Sequence, residues 1–150
     1  KGFMQISILT DVDDEAVEAF QRLVPQLSST APAPTREEIQ AMVSSDCSIV
    51  LVARDADAGG RIAGSLTLVV FRVPTGVRAW IEDVVVDEST RGKGVGEALT
   101  RAALDEARRR GAKNVDLTSR PSREAANRLY QRIGFVLRSS NLYRYDLKKS

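Results

Sequence analysis

The feature that most constrains the fold of this chain is an abrupt change from strand to helix around three glycines. The apolar run Val84–Val86 is followed by RGKGVG, residues 91–96, and then by a segment with helical periodicity, residues 94–110. Glycine adopts left-handed backbone conformations at no steric cost and lets other molecules approach the main chain closely. The pattern therefore predicts a tight strand-to-helix turn whose first helical N–H groups are open to a ligand.

The same turn carries two positive charges, because Arg91 and Lys93 alternate with Gly92 and Gly94. The amino terminus of a helix adds about half a positive charge and is a common binding site for phosphate. Lys93 is followed by glycine rather than Ser or Thr, which excludes a P-loop. Glu97 stands where the dinucleotide fingerprint requires a third glycine. A glycine-rich connection without a ligand remains the alternative to a phosphate site.

Composition limits the fold and the function further. The 150 residues are 43% hydrophobic, so we expect a single domain over residues 1–150 with one buried core. There are 22 Lys and Arg against 20 Asp and Glu, and a net charge of +2 gives no general attraction to nucleic acid. The sequence has no histidine, the commonest metal ligand and general base, so we expect no metal site.

The sequence also bears on location. No apolar run approaches the roughly 18 residues that a membrane span requires. The stretch KGFMQISI lacks the long apolar region of a secretory signal. These observations predict a cytoplasmic protein with no membrane partner.

The spacing of apolar residues predicts a mixed α/β architecture. Strands are predicted over residues 4–9, 48–54, 61–73, 77–87 and 115–118, and helices over residues 11–27, 35–43, 94–110 and 122–133. The middle three strands are expected to form an antiparallel meander, and the later elements a strand–helix–strand crossover. A closing hairpin is expected over residues 135–138 and 142–147.

Two motifs in the second half resemble those of the GNAT superfamily of N-acetyltransferases. VVVDESTRGKGVG resembles the acyl-CoA motif, Arg/Gln-x-x-Gly-x-Gly/Ala after a strand, with Arg91, Gly94 and Gly96 at the defining positions. NRLYQRIGF resembles the second signature, with Tyr130 in its Leu-Tyr pair. The resemblance covers residues 80–135 and implies the GNAT fold, a mixed central sheet of about six to seven strands with about four helices.

The resemblance also implies how acetyl-CoA is held. The diphosphate of coenzyme A would lie on the backbone of the glycine-rich turn, and the pantetheine amides would pair with the preceding strand as an added peptide does. Arg123 stands where many members carry an asparagine that holds the pantetheine; it either meets the 3′-phosphate or is solvated. The implied cofactor-binding residues are Val84, Val85, Val86, Arg91, Gly92, Lys93, Gly94, Val95, Gly96, Glu97, Arg123 and Asn127.

Acetyl transfer requires a neutral amine, and deprotonating a primary ammonium at pH 7 costs about 4.6 kcal/mol, so a base is expected. The two-residue period of a strand places Glu82 with Val84 and Val86 on one face. Asp83 and Val85 then lie on the other face, so the two carboxylates differ in role. The sequence IED resembles the equivalent strand of glucosamine-6-phosphate acetyltransferases, which implies Glu82 as the base, directly or through water. Asp83 or water alone are the alternatives.

The resemblance gives Tyr130 the role of proton donor to the departing thiolate. A tyrosine is a weaker acid than a thiol by about 2 kcal/mol, so a hydrogen bond to the sulfur is the alternative to proton transfer. A backbone N–H near Val84 and Val85 would stabilise the charge that develops on the acetyl oxygen.

These features predict an acetyl-CoA-dependent N-acetyltransferase that acts on a primary amine of a small molecule or peptide, by direct attack in a ternary complex. The IED sequence favours a small amine or an amino sugar. The alternative is a non-catalytic acyl-CoA-binding domain of the same fold, in which Glu82 and Tyr130 are dispensable. Exposed final strands would also allow a homodimer to form.

Overall fold

The computed structural model describes residues 4–148. It contains four α-helices: α1 (Asp14–Leu27), α2 (Arg36–Ser44), α3 (Val95–Arg109) and α4 (Glu124–Ile133). It contains five strands: β1 (Met4–Ile8), β2 (Ser48–Asp55), β3 (Arg61–Val73), β4 (Gly76–Val86) and β5 (Val115–Asp116). No helix within this part of the chain is both long and apolar enough to cross a membrane.

The strands form one mixed sheet in the order β1-β2-β3-β4-β5. The first four strands pair antiparallel, and β5 joins β4 in parallel. The predicted meander of β2, β3 and β4 is confirmed. The predicted crossover is confirmed as well, because α3 lies between β4 and its parallel neighbour β5 in the chain.

Both early helices begin where capping residues satisfy their first N–H groups. The Asp13 side chain accepts a hydrogen bond from the Ala16 N–H at 2.9 Å, which starts α1. At α2 the predicted capping box is present: Thr35 Oγ1 accepts from the Glu38 N–H at 3.1 Å, and Glu38 Oε1 accepts from the Thr35 N–H at 2.9 Å. These caps place the helix starts where the sequence predicted them to within three residues.

The two faces of the sheet are covered by different helices. On one face, residues of β2, β3 and β4 form a core with α1 and α2: Leu9, Ala16, Ala19, Phe20, Leu23, Ile39, Val50, Val52, Ile62 and Val85. On the other face β3 approaches α3 closely at Gly64, where an added Cβ would stand 3.0 Å from Val95 Cγ1. The glycine therefore sets how near α3 lies to the sheet.

A β-bulge interrupts β4 and changes which side chains share a face. Ser65 pairs with Val85, and Thr67 pairs with Glu82. Between these two pairs β4 has two residues, whereas β3 has only one. Asp83 adopts a left-handed φ of 49° at this bulge. The predicted face assignment is therefore wrong beyond the bulge. Glu82 shares its face with Val85, which packs in the core under α1, and not with Val84 and Val86.

The predicted closing hairpin is absent: between Ile133 and residue 148 the described chain contains no strand. The sheet consequently has five strands rather than six to seven. Most large apolar side chains of this segment are exposed, namely Val136, Leu137, Leu142, Tyr143, Tyr145 and Leu147. Their alternating pattern favours an extended conformation, but a strand also requires a neighbouring backbone to pair with, which local sequence does not supply.

The chain divides into two compact units, one ending at Thr118 and the other beginning at Ser119. The first unit contains the whole sheet with α1, α2 and α3, and the second contains α4 and a final segment without regular secondary structure as far as residue 148. The expectation of a single domain stays a prediction. Each unit is described by itself below.

Candidate active site

The glycine-rich turn between β4 and α3 is anchored at both ends and exposed between them. At its start, Glu88–Thr90 form a single 3-10 turn in which the Thr90 N–H donates to the Asp87 carbonyl at 2.9 Å. At its end α3 begins with Val95, which is buried. The four residues between them, 91–94, are all exposed. The main chain of this segment therefore faces solvent.

Both glycines of the exposed segment have left-handed backbones, with φ of 84° at Gly92 and 78° at Gly94. A Cβ added at either position would meet no heavy atom within 4 Å, so the space around the backbone is open. Gly94 is the N-cap residue of α3 and provides no side-chain cap. The first N–H groups of α3 have no acceptor within the helix and are directed toward this space.

The charges around the turn suit an anion. Arg91 and Lys93 are exposed beside the glycines, and the helix terminus adds about half a positive charge. Lys93 Nζ lies 3.9 Å from Oδ2 of the buried Asp55, and the Lys93 side chain is nearly half exposed. These groups fit the diphosphate of coenzyme A, which needs main-chain donors and cations within reach of the same oxygens.

The other predicted cofactor residues at the start of α3 differ in which of their groups are engaged within the protein. Val95 is buried, so only its backbone can face a ligand. The Gly96 carbonyl accepts a hydrogen bond from the Thr100 hydroxyl at 2.7 Å. Glu97 Oε2 accepts from Arg101 Nε at 3.0 Å, which holds this carboxylate in an ion pair at the first turn of α3. The arrangement stiffens the helix start without covering the exposed glycines.

Strand β4 has an open edge next to the turn. β5 pairs with β4 only at Ala79 and Trp80. Beyond Trp80, no strand among residues 4–148 pairs with that edge of β4. Residues 84–86, the predicted pantetheine contacts, therefore offer main-chain groups to an added extended chain, and an amide-containing ligand can hydrogen-bond there as a peptide strand does.

The two candidate bases lie at the bulge of β4, and both are exposed. Glu82 is the last residue before the bulge and pairs across the sheet with Thr67. None of the ion pairs within residues 4–148 involves Glu82 or Asp83. The Glu82 carboxylate is thus available to accept a proton directly or through water.

In the second unit, Tyr130 lies on α4 and packs against Phe135. The two rings meet edge to face, with centroids 5.7 Å apart and planes at 70°. Burial raises the pKa of Tyr130 above its ordinary value, and the nearby positive charge of Arg123 opposes this only in part. The hydroxyl therefore stays protonated at neutral pH and is suited to donate a hydrogen bond.

Asn127 and Arg123 stand at the start of α4. Asn127 Nδ2 donates to the carbonyls of Arg120 and Arg123, both at 2.9 Å. Arg123 is the N-cap residue and its own side chain provides no cap. Asn127 therefore orders the backbone at the helix start, and a cofactor role for either residue stays a prediction.

A model of the acetyltransferase (GNAT) family matches residues 10–135 of this chain. The chain belongs to this family. The match includes the glycine-rich turn and Tyr130, and it confirms the resemblance that the two motifs predicted. The mixed sheet with four helices is the GNAT fold.

Named relatives of this GNAT chain are acetyltransferases. Glucosamine 6-phosphate N-acetyltransferase 1 of Oryza sativa subsp. japonica is 35% identical over 78% of this chain and 73% of its own length. N-alpha-acetyltransferase 30 of Schizosaccharomyces pombe is 38% identical over 49% of this chain. The match spans about half (48%) of the length of that protein. An acetyltransferase structure from Trypanosoma brucei superposes with a TM-score of 0.77 at 28% identity, covering 97% of this chain and 100% of that one.

Sequence reasoning overlooked the residues that hold the GNAT turn in place. Arg22 of α1 donates to Asp87 at 2.6 Å, although the two residues are 65 positions apart. Gln26, one helical turn later, accepts a hydrogen bond from the Glu88 N–H at 2.9 Å. No local pattern marks partners so distant in the chain. The one local signal was a row of polar residues at four-residue spacing on α1, Glu18, Arg22 and Gln26.

Proposed function

We propose that this GNAT protein is an acetyl-CoA-dependent N-acetyltransferase that modifies a primary amine of a small molecule or peptide. The observation that carries the proposal is the pair of exposed left-handed glycines, Gly92 and Gly94, at the start of α3 beside the open edge of β4. A diphosphate and an amide chain each find their complementary main-chain groups there.

The proposed reaction forms an N–C bond to the acetyl carbon and breaks its C–S bond. Glu82 accepts, directly or through water, the proton that the acceptor's ammonium group must lose before the neutral amine can attack. A main-chain N–H near Val84 and Val85 stabilises the charge on the acetyl oxygen, and the bulge supports this role because it leaves an extra β4 residue opposite β3. Tyr130 donates a hydrogen bond to the departing thiolate, which takes its proton from Tyr130 or from solvent. The nitrogen loses its second proton to solvent as the amide forms, and solvent returns a proton to Tyr130 if it has given one up.

For the acceptor we propose a small amine or amino sugar. Two observations support it: the IED sequence at the candidate base, residues 81–83, and the similarity to a glucosamine 6-phosphate N-acetyltransferase over 73% of that enzyme. A peptide α-amine is the second acceptor class, suggested by the similarity to an N-alpha-acetyltransferase. A panel containing amino sugars, their phosphates, polyamines and short peptides separates the two classes.

Thermal denaturation with acetyl-CoA, coenzyme A and ATP tests the binding half of the proposal. A ligand at 100 times its dissociation constant stabilises the folded protein by about 2.7 kcal/mol, so both CoA compounds should raise the melting temperature and ATP should do so far less. No shift with either CoA compound would overturn the proposal. Release of free thiol with the acceptor panel then tests turnover. Binding without turnover on any amine would favour the non-catalytic acyl-CoA-binding alternative.

We also propose that the chain forms a homodimer through its final segment. The side chains of Tyr143, Tyr145 and Leu147 alternate with Arg144 and Asp146, and the three apolar ones are 86–88% exposed. Large apolar side chains exposed together on one short segment often mark an interaction surface. A segment whose exposed apolar side chains alternate with charged ones can pair with another chain as an edge strand does, and a second copy presents the same segment.

A further inference from the structure

The start of the glycine-rich turn is tied to α1 by one partly buried ion pair. Arg22 Nη1 donates to Asp87 Oδ2 at 2.6 Å, and the two side chains are only 15% and 8% exposed. The other side of the Arg22 guanidinium binds Glu18 one turn earlier, with Nε donating at 3.0 Å. The guanidinium is thus fixed by two carboxylates, and its direction toward Asp87 is set by α1 itself.

Every polar group of Asp87 takes part in a hydrogen bond at the start of the turn. Its Oδ1 accepts from the Ser89 N–H at 3.1 Å, and its carbonyl accepts from both the N–H and the hydroxyl of Thr90 at 2.9 Å. Its own N–H donates to the Ala63 carbonyl of β3 at 2.8 Å. Burial alone would raise the pKa of Asp87, but the hydrogen bonds from Ser89 and Arg22 hold it below its ordinary value. The carboxylate is therefore charged at neutral pH.

A second contact from the same helix reaches the next residue. Gln26 Oε1 accepts from the Glu88 N–H at 2.9 Å, and Gln26 Nε2 donates back to the Arg22 carbonyl at 3.2 Å. On another side, a cavity of about 170 Å³ is lined by Ser89, Thr90 and Lys93. The long ion pair of Lys93 with Asp55 crosses the same region. Helix α1 therefore contacts both residues at the start of the turn, Asp87 and Glu88, through side chains.

We infer that Arg22 and Gln26 are positioning residues for the diphosphate site, and that through them α1 controls how tightly the diphosphate of coenzyme A is held. The inference rests on the proposed function, because it assigns that diphosphate to residues 91–94. Neither side chain needs to touch the ligand. They hold Asp87 and Glu88, which determine where the exposed glycine backbone begins, and main-chain donors bind an anion well only when several converge on it.

The test is calorimetric titration of two ligands: coenzyme A, and pantetheine, which lacks the diphosphate. Arg22→Met should weaken coenzyme A binding about tenfold, the scale of one hydrogen-bonded charge pair, and leave pantetheine binding unchanged. Gln26→Ala should weaken coenzyme A binding about threefold, the scale of one neutral hydrogen bond. The Gln26 variant also decides the question if Arg22→Met does not fold. Arg22→Lys keeps the positive charge but loses the planar guanidinium that binds both carboxylates. We therefore expect an affinity for coenzyme A between those of the wild type and Arg22→Met.

Glu15→Gln is the matched control. Glu15 lies on the same helix and ties it to the sheet through Arg54 at 2.7 Å, but it does not contact the turn. Its coenzyme A affinity should equal that of the wild type. Equal losses for coenzyme A and pantetheine in the Arg22 and Gln26 variants would show a general structural role and overturn the inference, as would unchanged coenzyme A binding. A wild-type protein that binds neither ligand would instead overturn the proposed function.

Discussion

At the scale of single residues, the proposed chemistry depends on how burial changes a side chain. The pKa of Tyr130 is raised because its hydroxyl is partly removed from water, and Arg123 offsets only part of this effect. A raised pKa makes proton transfer to a thiolate harder than with an ordinary tyrosine. It also keeps the hydroxyl protonated across the physiological range. The property favours a hydrogen-bond donor over a full proton donor.

Tyr130→Phe should lower kcat about tenfold to a hundredfold and leave the KM for acetyl-CoA within about twofold. The ring contact with Phe135 survives this change, so the melting temperature should stay the same. Free-thiol release with an acceptor from the panel measures the effect. Since the pKa of Tyr130 lies above its ordinary value, the wild-type rate should show no loss from tyrosine ionisation below pH about 10. Full activity in the variant would remove Tyr130 from the mechanism.

At the scale of elements, the packing of α3 against β3 positions the end of the glycine-rich turn, where α3 begins. An added Cβ at Gly64 would stand 2.9 Å from the Val85 carbonyl oxygen and 3.3 Å from Leu99 Cδ1. The first contact is with backbone, which cannot rotate away. Only glycine allows β3, β4 and α3 to lie this close together, and α3 begins where the turn ends.

Gly64→Ala should therefore lower the free energy of unfolding by about 1–3 kcal/mol, measured by urea denaturation, because the core must expand to accept a methyl group. It should also weaken coenzyme A binding by displacing Val95 at the start of α3. Gly111→Ala is the comparison: its Cβ would meet no heavy atom within 4 Å, and its φ of 86° brings only backbone strain. Its coenzyme A affinity should stay at the wild-type value. A Gly64 variant as stable as the wild type would contradict the packing argument.

At the scale of the whole molecule, the exposed final segment is the main feature that one chain leaves without a partner. The triple substitution Tyr143→Ser, Tyr145→Ser and Leu147→Ser should convert a dimer into a monomer of the same fold, because these side chains contribute little to the core of a single chain. Sedimentation velocity measures the mass. Arg144→Ser with Asp146→Ser alters the alternate positions and should stay dimeric. A wild-type monomer at micromolar concentration would rule out the proposed dimer.

Much of this molecule follows from local sequence alone. Short-range signals predicted the four helices, the meander and the turn at residues 91–96, because capping residues, alternation and glycine act within a few positions of one another. The two motifs identified the GNAT family for the same reason, because each is a short, contiguous segment. These features need no knowledge of what lies across the sheet.

Contacts between distant segments decided the rest. The bulge at Asp83 changed the face that Val85 occupies, and only the pairing of β3 with β4 reveals the extra residue. The hairpin after Ile133 did not form, because alternation specifies an extended chain but supplies no neighbouring strand. The Arg22–Asp87 pair joins residues 65 positions apart. Packing brings such distant residues together, and no pattern in the sequence around one residue indicates its partner.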